Sequence, residues 1–282
     1  MMTSYNQFGG AWTEDKLQVL EGYLDAYTTA LKHQPFDLIY VDAFAGTGWI
    51  ESGNEDDYGI PIMGSAGRAL SVRHRSFDRI VLVDLDAKNC RHLRELRHHY
   101  PRRVIDVECD DANVFLRRLR RNTYGSAWRG VLFLDPFGVQ LKWSTVAHVA
   151  GLQRLDMWLL FPSSAIGRML PLTRDPDAVE PQWVSRLNAV FGGDSWRKLY
   201  SSTGQENLFG VEELHRNRGV GGLRSIYESQ LQELFGDRFL GLSRTLRNRK
   251  NSPLFELFFC VGSSSPQAIA LAKRIATNKI LS

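Results

Sequence analysis

Two stretches of the chain set acids and glycines directly after apolar runs, the arrangement by which a buried strand delivers chemistry to a sheet edge. In Ile39-Tyr40-Val41-Asp42-Ala43-Phe44-Ala45-Gly46-Thr47-Gly48, the strand empties into an acid and a Gly-x-Gly turn whose backbone can approach a ligand closely. The third glycine of a dinucleotide fingerprint would fall on Glu51, and no Gly-Lys-Ser/Thr follows, so pyrophosphate-binding signatures are absent. The second stretch is Gly130-Val131-Leu132-Phe133-Leu134-Asp135-Pro136-Phe137-Gly138. There Asp135 and the Pro136 carbonyl can accept the hydrogens of an exocyclic amino group on a planar base, while Phe137 offers a face for stacking. Sharing those hydrogens leaves the nitrogen electron density for in-line attack on a methyl sulfonium. Taken alone, Asp-Pro-aromatic reads equally as a structural turn at a strand end.

Two further strand ends carry acids. Arg79 to Val83 is an apolar run closed by Asp84-Leu85-Asp86, and an acid at the tip of a second strand can accept from both hydroxyls of a ribose. Asp84 stands 36 residues past Gly48 instead of the usual roughly 20, an excess close to the length of the polar, Gly-rich loop at 49–64. One of Asp84 and Asp86 can cap the helix that follows while the other binds. Val104 to Cys109 is a third strand followed by Asp110-Asp111, where Asp111 either accepts from an adenine amino group or caps the next helix. Together these features suit an adenosine cofactor without pyrophosphate, for which S-adenosyl-L-methionine is the leading expectation. Asp42, Phe44, Gly46, Gly48, Asp84 and Asp111 are its candidate contacts, and Asp135, Pro136 and Phe137 the candidate catalytic residues.

The elements that position these residues follow from periodicity. Thr13 is expected to cap a first helix, with Trp12 stapled to Leu17, and Leu17, Leu20, Leu24, Tyr27 and Leu31 fall on its inner face. Ser65 is expected to cap a helix whose start is displaced from the glycine turn by the intervening loop. Met157 to Phe161 is a fifth strand. From Ser163 to Gly222 the strand-helix rhythm lapses, which predicts a helical insertion at 163–222, either a lid over the cofactor edge or a packing appendage. Two final strands flank the polar turn Arg247 to Pro253 as an antiparallel hairpin, and Ser265-Pro266 opens a last helix. One α/β domain spanning 1–282 is the expectation.

With 43% hydrophobic residues the chain can bury a sizeable core, and its formal charge of +4 permits nucleic-acid binding without arguing for it. Basic residues gather at 91–103, at 117–121 and in the hairpin turn; on helices such runs are usually solvated faces, and the projecting turn is the best candidate for a phosphate contact. Cys90, Cys109 and Cys260 are far apart in sequence, which indicates neither a metal knuckle nor a disulfide framework. No signal region and no run of about eighteen apolar residues is present, so a soluble cytoplasmic protein is expected.

Five β/α units, a glycine turn after the first strand, acids after the second and third, and a terminal hairpin resemble the Rossmann-like class I S-adenosylmethionine-dependent methyltransferase fold. More closely, Lys16-Leu17-x-x-Leu20-x-x-Tyr23-Leu24, Asp42 to Gly48, Gly64-Ser65, Asp84-x-Asp86 and Leu134 to Gly138 resemble the bacterial three-Cys-motif partner proteins (TcmP) over nearly the whole chain. That resemblance implies a methyltransferase-like protein working beside a separate companion, similar to radical S-adenosylmethionine enzymes and to a phage protein, that carries the three cysteines. Asp-Pro-Phe-Gly is also similar to the catalytic stretch of tRNA guanine-N2 methyltransferases. It departs from the Asp-Pro-Pro-Tyr of adenine-N6 enzymes at Phe137 and Gly138. The leading expectation is an N-methyltransferase acting on a base in RNA or DNA. A catalytically silent binding partner of the three-cysteine protein is the alternative, and a small-molecule methyltransferase with a closed apolar pocket is a third reading.

Overall fold

The computed structural model describes residues 11–50, 62–170, 176–206, 212–216 and 220–280. Its centre is a seven-stranded sheet built from β1 (Asp37–Asp42), β2 (Arg79–Asp84), β3 (Ile105–Cys109), β4 (Trp128–Leu134), β5 (Leu155–Phe161), β6 (Phe239–Arg247) and β7 (Pro253–Cys260). The order across the sheet is β6-β7-β5-β4-β1-β2-β3. All pairings among β1 to β5 are parallel, and β7 alone runs against them, between β5 and β6. This is the α/β sheet that the methyltransferase resemblance implies: mostly parallel, with a C-terminal antiparallel hairpin. The chain leaves β1 in opposite directions for β2 and β4, so the topological switch point, where α/β sheets bind ligands, lies between β1 and β4.

Strand apolarity explains the central positions. Every residue of β5 is buried, as is every residue of β1 after the first, which fits strands covered on both faces. Alternate side chains feed two cores. Ile39, Val41, Leu132 and Leu134 join α4 (Ala112–Arg118), α5 (Trp143–Leu152) and α8 (Val220–Phe235) on one face. Leu38, Tyr40, Leu82 and Phe133 join α1 (Ala11–Ala30), α2 (Ser65–Leu70), α3 (Ala87–His99) and α9 (Pro266–Ile280) on the other. The period of two therefore sends Asp42, Asp84 and Asp135 toward the α1 face as their strands end.

Several expectations are revised. The first helix already runs from Ala11, so Thr13 is a buried first-turn residue and not the cap, and Trp12 packs on Phe255 at 4.7 Å instead of stapling Leu17. Ser65 is the first residue of α2, whose cap is Gly64. The start of α2 is not displaced from the glycine turn. Trp49–Ile50 pairs with Ile62–Met63 and the Gly64 amide donates to the Gly48 carbonyl at 3.1 Å, which brings α2 back beside the turn.

The 163–222 insertion is only partly helical. After α6 (Ser163–Met169) and α7 (Pro181–Phe191) it forms a two-stranded ribbon, Tyr200–Glu206 with Glu212–Arg216. Its helical part packs on the flank of the sheet. Leu187, Val190, Phe191 and Trp196 are buried with α5 and α8, and the Gln230 amide donates to the Phe191 carbonyl at 2.7 Å. A Cβ on Gly192 would stand 2.3 Å from Trp143, so glycine at the end of α7 permits the close contact with α5. Residues 171–175, 207–211 and 217–219 of the insertion lie outside the described residues. No helix among the described residues is long and apolar enough to cross a membrane.

Candidate functional site at the carboxyl edge

The carboxyl ends of the five parallel strands bring together residues dispersed over nearly a hundred positions of sequence. Past Asp42 the chain first stays with β4, as the Ala43 amide donates to the Phe133 carbonyl at 3.2 Å. It then crosses to β2, where the Ala45 amide donates to the Val83 carbonyl at 2.9 Å. Gly46 and Gly48 make the turn in the left-handed region, at φ +60° and +80°. A Cβ on Gly46 would meet nothing within 4 Å, whereas one on Gly48 would press on Leu96 of α3 at 3.1 Å. Gly46 thus faces open space, and Gly48 serves the packing of the turn on α3. Phe44 is half-buried against the core on the α5 face.

Asp42 is fully buried beneath this turn. Its carboxylate accepts from the Phe44 amide at 3.3 Å, from the Tyr40 hydroxyl at 3.4 Å and from the Ser65 hydroxyl. Burial pushes the carboxyl up to about 7, with the neighbouring Asp135 charge adding to the rise and the hydrogen bonds from Ser65, Phe44 and Tyr40 opposing it. Fully buried and with its charged form disfavoured, Asp42 acts on the shape of the turn through the Phe44, Tyr40 and Ser65 hydrogen bonds.

Asp84 ties the turn to β2. One oxygen accepts from the Gly46 amide at 2.8 Å; the other accepts from the Asp86 amide at 2.8 Å and the Asn89 side chain at 3.1 Å. Asp86 is the helix cap of the two, accepting from the Lys88 amide at 2.6 Å. Asp111 caps α4 through Oδ1, which accepts from the Val114 amide at 3.0 Å.

On the far side of the switch point β4 delivers Asp135, buried Pro136 and Phe137, which is 69% exposed. Gly138 turns the chain at φ +66°. Asp135 Oδ2 is ion-paired with Lys16 of α1, whose ammonium also lies 5.0 Å from the Trp12 ring. Lys16 is 5% exposed, and it was not singled out by sequence as a site residue. The signal was present: Lys16 shares a helical line with Leu20, Tyr23 and Tyr27, so a lysine stands on the inward stripe. Asn113 is a second residue that sequence reasoning passed over. Buried on α4, it donates to the Gln140 carbonyl at 3.0 Å and accepts from the Lys142 amide and the Thr145 hydroxyl, both at 2.9 Å. These bonds anchor the far end of the Asp135 loop.

The β6–β7 turn lies at this same edge, because β6 runs parallel to β4 and the Ser163 hydroxyl at the end of β5 donates to the Leu254 carbonyl at 3.3 Å. Its exposed Arg249 and Lys250 thus stand at the same edge as Asp135. Of the other basic runs, Arg118 is ion-paired with Asp110.

No family model matches the chain, and no curated protein matches it. Among solved structures, protein LPL1258 from Legionella pneumophila is similar over 94% of this chain and 92% of its own, at 13% identity and a TM-score of 0.49. Trm1 from Pyrococcus horikoshii, solved with S-adenosyl-L-methionine, is similar over 91% of this chain and 58% of its own, at 11% identity and a TM-score of 0.41. The N-terminal domain of EvdMO1 with SAH bound is similar over 85% and 79%, at 11% identity and a TM-score of 0.38. The architecture itself rests on the strand order and register of this chain: a seven-stranded α/β sheet, parallel except for β7, with an acid-rich glycine turn at its switch point.

Proposed function

We propose that the chain is an S-adenosylmethionine-dependent N-methyltransferase that modifies an exocyclic amino group of a nucleic-acid base and works beside a three-Cys-motif companion protein. The observation that carries this reading is the gathering of Asp42, Asp84 and Asp135 on the α1 side of one sheet edge, around a glycine turn with open space over Gly46. Carboxylates so placed suit a ligand bearing ammonium and sulfonium charges, and they oppose a pyrophosphate. The residues fit such a cofactor. An ionised carboxylate has about four acceptor sites, of which Asp84 uses three among the described residues, leaving room for a ribose hydroxyl. Gly46 lines the methionine half, Gly48 holds the turn by its close packing on α3, Phe44 backs the turn, and Asp111 stands at the end of β3 for the adenine amino group.

When bound, the cofactor supplies an activated methyl group. The protein aligns and orients. Phe137 stacks on the target base, while Asp135 Oδ1 and the Pro136 carbonyl hold its amino hydrogens and direct the nitrogen lone pair. Lys16 balances the Asp135 carboxylate beforehand, and as the nitrogen gains the methyl, Asp135 takes the proton released and becomes neutral. The hairpin turn with Arg249 and Lys250 offers phosphate contacts along the same edge.

Calorimetry with S-adenosylmethionine and S-adenosylhomocysteine tests the cofactor, and failure of folded protein to bind either rejects the reading. Modified nucleosides compared by mass spectrometry between cells with and without the protein identify the acceptor. Asp135→Asn, which keeps an acceptor beside Lys16 but cannot take a proton, is expected to abolish turnover while the variant stays folded and still binds S-adenosylhomocysteine.

One observation favours the non-catalytic alternative. The buried Lys16–Asp135 pair pins α1 to β4, a structural duty that needs no substrate. Co-purification with the companion, with and without cofactor, separates the two: an enzyme turns over in its presence, whereas a silent partner binds without methyl transfer.

A further inference from the structure

The fold brings together two cysteines that sequence spacing keeps apart. Cys109 ends β3 directly opposite Asp84 in the strand register. Cys90 stands in the first turn of α3, and its thiol donates to the Asp84 carbonyl at 3.3 Å. Both thiols therefore flank one residue, Asp84, at the tip of β2. Cys109 is exposed and Cys90 buried, so an accessible thiol is backed by a sheltered one. Asp84 is also the residue whose side chain holds the Gly46 amide.

We propose that Cys90 and Cys109 form an oxidisable thiol pair, a modification site for peroxides that closes to a disulfide and weakens the grip of Asp84 on the glycine turn. The Cys109 thiolate attacks one peroxide oxygen; the O–O bond breaks, giving a sulfenic acid and, with the thiol proton, water. Cys90 then attacks the sulfenic sulfur as its thiolate, the S–O bond breaks, and the departing hydroxide leaves as a second water with the Cys90 proton. Two thiols are oxidised and one peroxide is reduced to two waters. Burial, with the adjacent Cys109 thiol and the Asp84 charge, pushes Cys90 up to about 12 against the opposing charge of Arg94. Cys109 therefore reacts first, and Cys90 resolves slowly. Closing the bond removes the Cys90 thiol donor from the Asp84 carbonyl and ties α3 to the tip of β3.

The formation of the bond is independent of the proposed function, whereas its effect on ligand binding rests on that reading. Reduced full-length protein is treated with hydrogen peroxide and followed by intact-mass and non-reducing peptide mapping. The expected result is a loss of about 2 Da, for two hydrogens, and a Cys90–Cys109 linked peptide that dithiothreitol reverses. Cys109→Ser, at an exposed position, should abolish the link while the variant stays folded by circular dichroism. Buried Cys260 should remain a free thiol. Added oxygen on Cys109 without a link, or a link through Cys260, overturns the proposal. In the second arm, S-adenosylhomocysteine is titrated into reduced and oxidised protein. Binding weakened by about fivefold or more is expected, and equal binding overturns the coupling to Asp84. If reduced protein does not bind the probe, the cofactor reading fails while the mass measurement still decides the thiol pair.

Discussion

Replacing Asp42 with asparagine probes the acid under the turn. Burial holds this carboxyl at about 7, against the ordinary 3.8. Between those values the folded protein keeps a proton that the unfolded chain has released, so stability falls as the pH rises. The contribution is fully present below about pH 4 and is withdrawn progressively until the pH exceeds about 7. A difference of about 3 pH units, at about 1.4 kcal/mol each, amounts to about 4 kcal/mol as an upper figure. Asparagine keeps an acceptor for the Phe44 amide and the Ser65 hydroxyl and cannot ionise. Asp42→Asn should therefore match the parent within about 1 kcal/mol near pH 4, exceed it by about 1.5 kcal/mol at pH 5 and by up to about 4 kcal/mol at pH 8. Urea unfolding across pH 4–8, with the midpoint and slope fitted separately, measures this directly. Buried Asp156, raised to about 6, contributes a similar fall, but it is common to both proteins and cancels in the difference. Parallel stability curves for the two proteins would refute the burial argument.

Three further perturbations have definite outcomes. Lys16→Met removes the partner of Asp135 from a pair that is 6% and 24% exposed, so it should cost about 3 kcal/mol in urea unfolding, and adding Asp135→Asn should restore most of that. Tyr23→Phe deletes the 2.6 Å hydrogen bond to buried Asp156; a loss of about 1–3 kcal/mol is expected, with Asp156 moving further above the usual carboxylate range by NMR titration. Gly130→Ala would set a Cβ 2.1 Å from the Ile39 carbonyl, forcing β1 and β4 apart, and it should lower the melting temperature sharply or leave the protein insoluble.

Strand identity was legible in sequence because β1, β4 and β5 are apolar runs closed by turn chemistry, and the acids at 42, 84 and 135 stand at the ends of such runs. The open choices at those ends were not legible. Whether an aspartate caps a helix or faces a ligand depends on which neighbouring amides point at it. The structure makes Asp86 and Asp111 caps and turns the Asp84 side chain to the Gly46 amide. The insertion was read as helical because the amphipathic period at Trp183 to Phe191 is strong, while the polar ribbon from Tyr200 carries no comparable pattern.

The sequence by itself determined the alternating β/α series, the glycine turn and the residue types available for chemistry, since hydrophobic period and turn composition are local properties. Only the tertiary structure decided what meets at the edge. Parallel pairing puts the ends of distant strands side by side, and strand parity turns the three acids toward α1. Helix packing then brings Lys16 to Asp135 and sets Cys90 on Asp84, the strand partner of Cys109. Such contacts join residues from separate elements, and no local pattern encodes them.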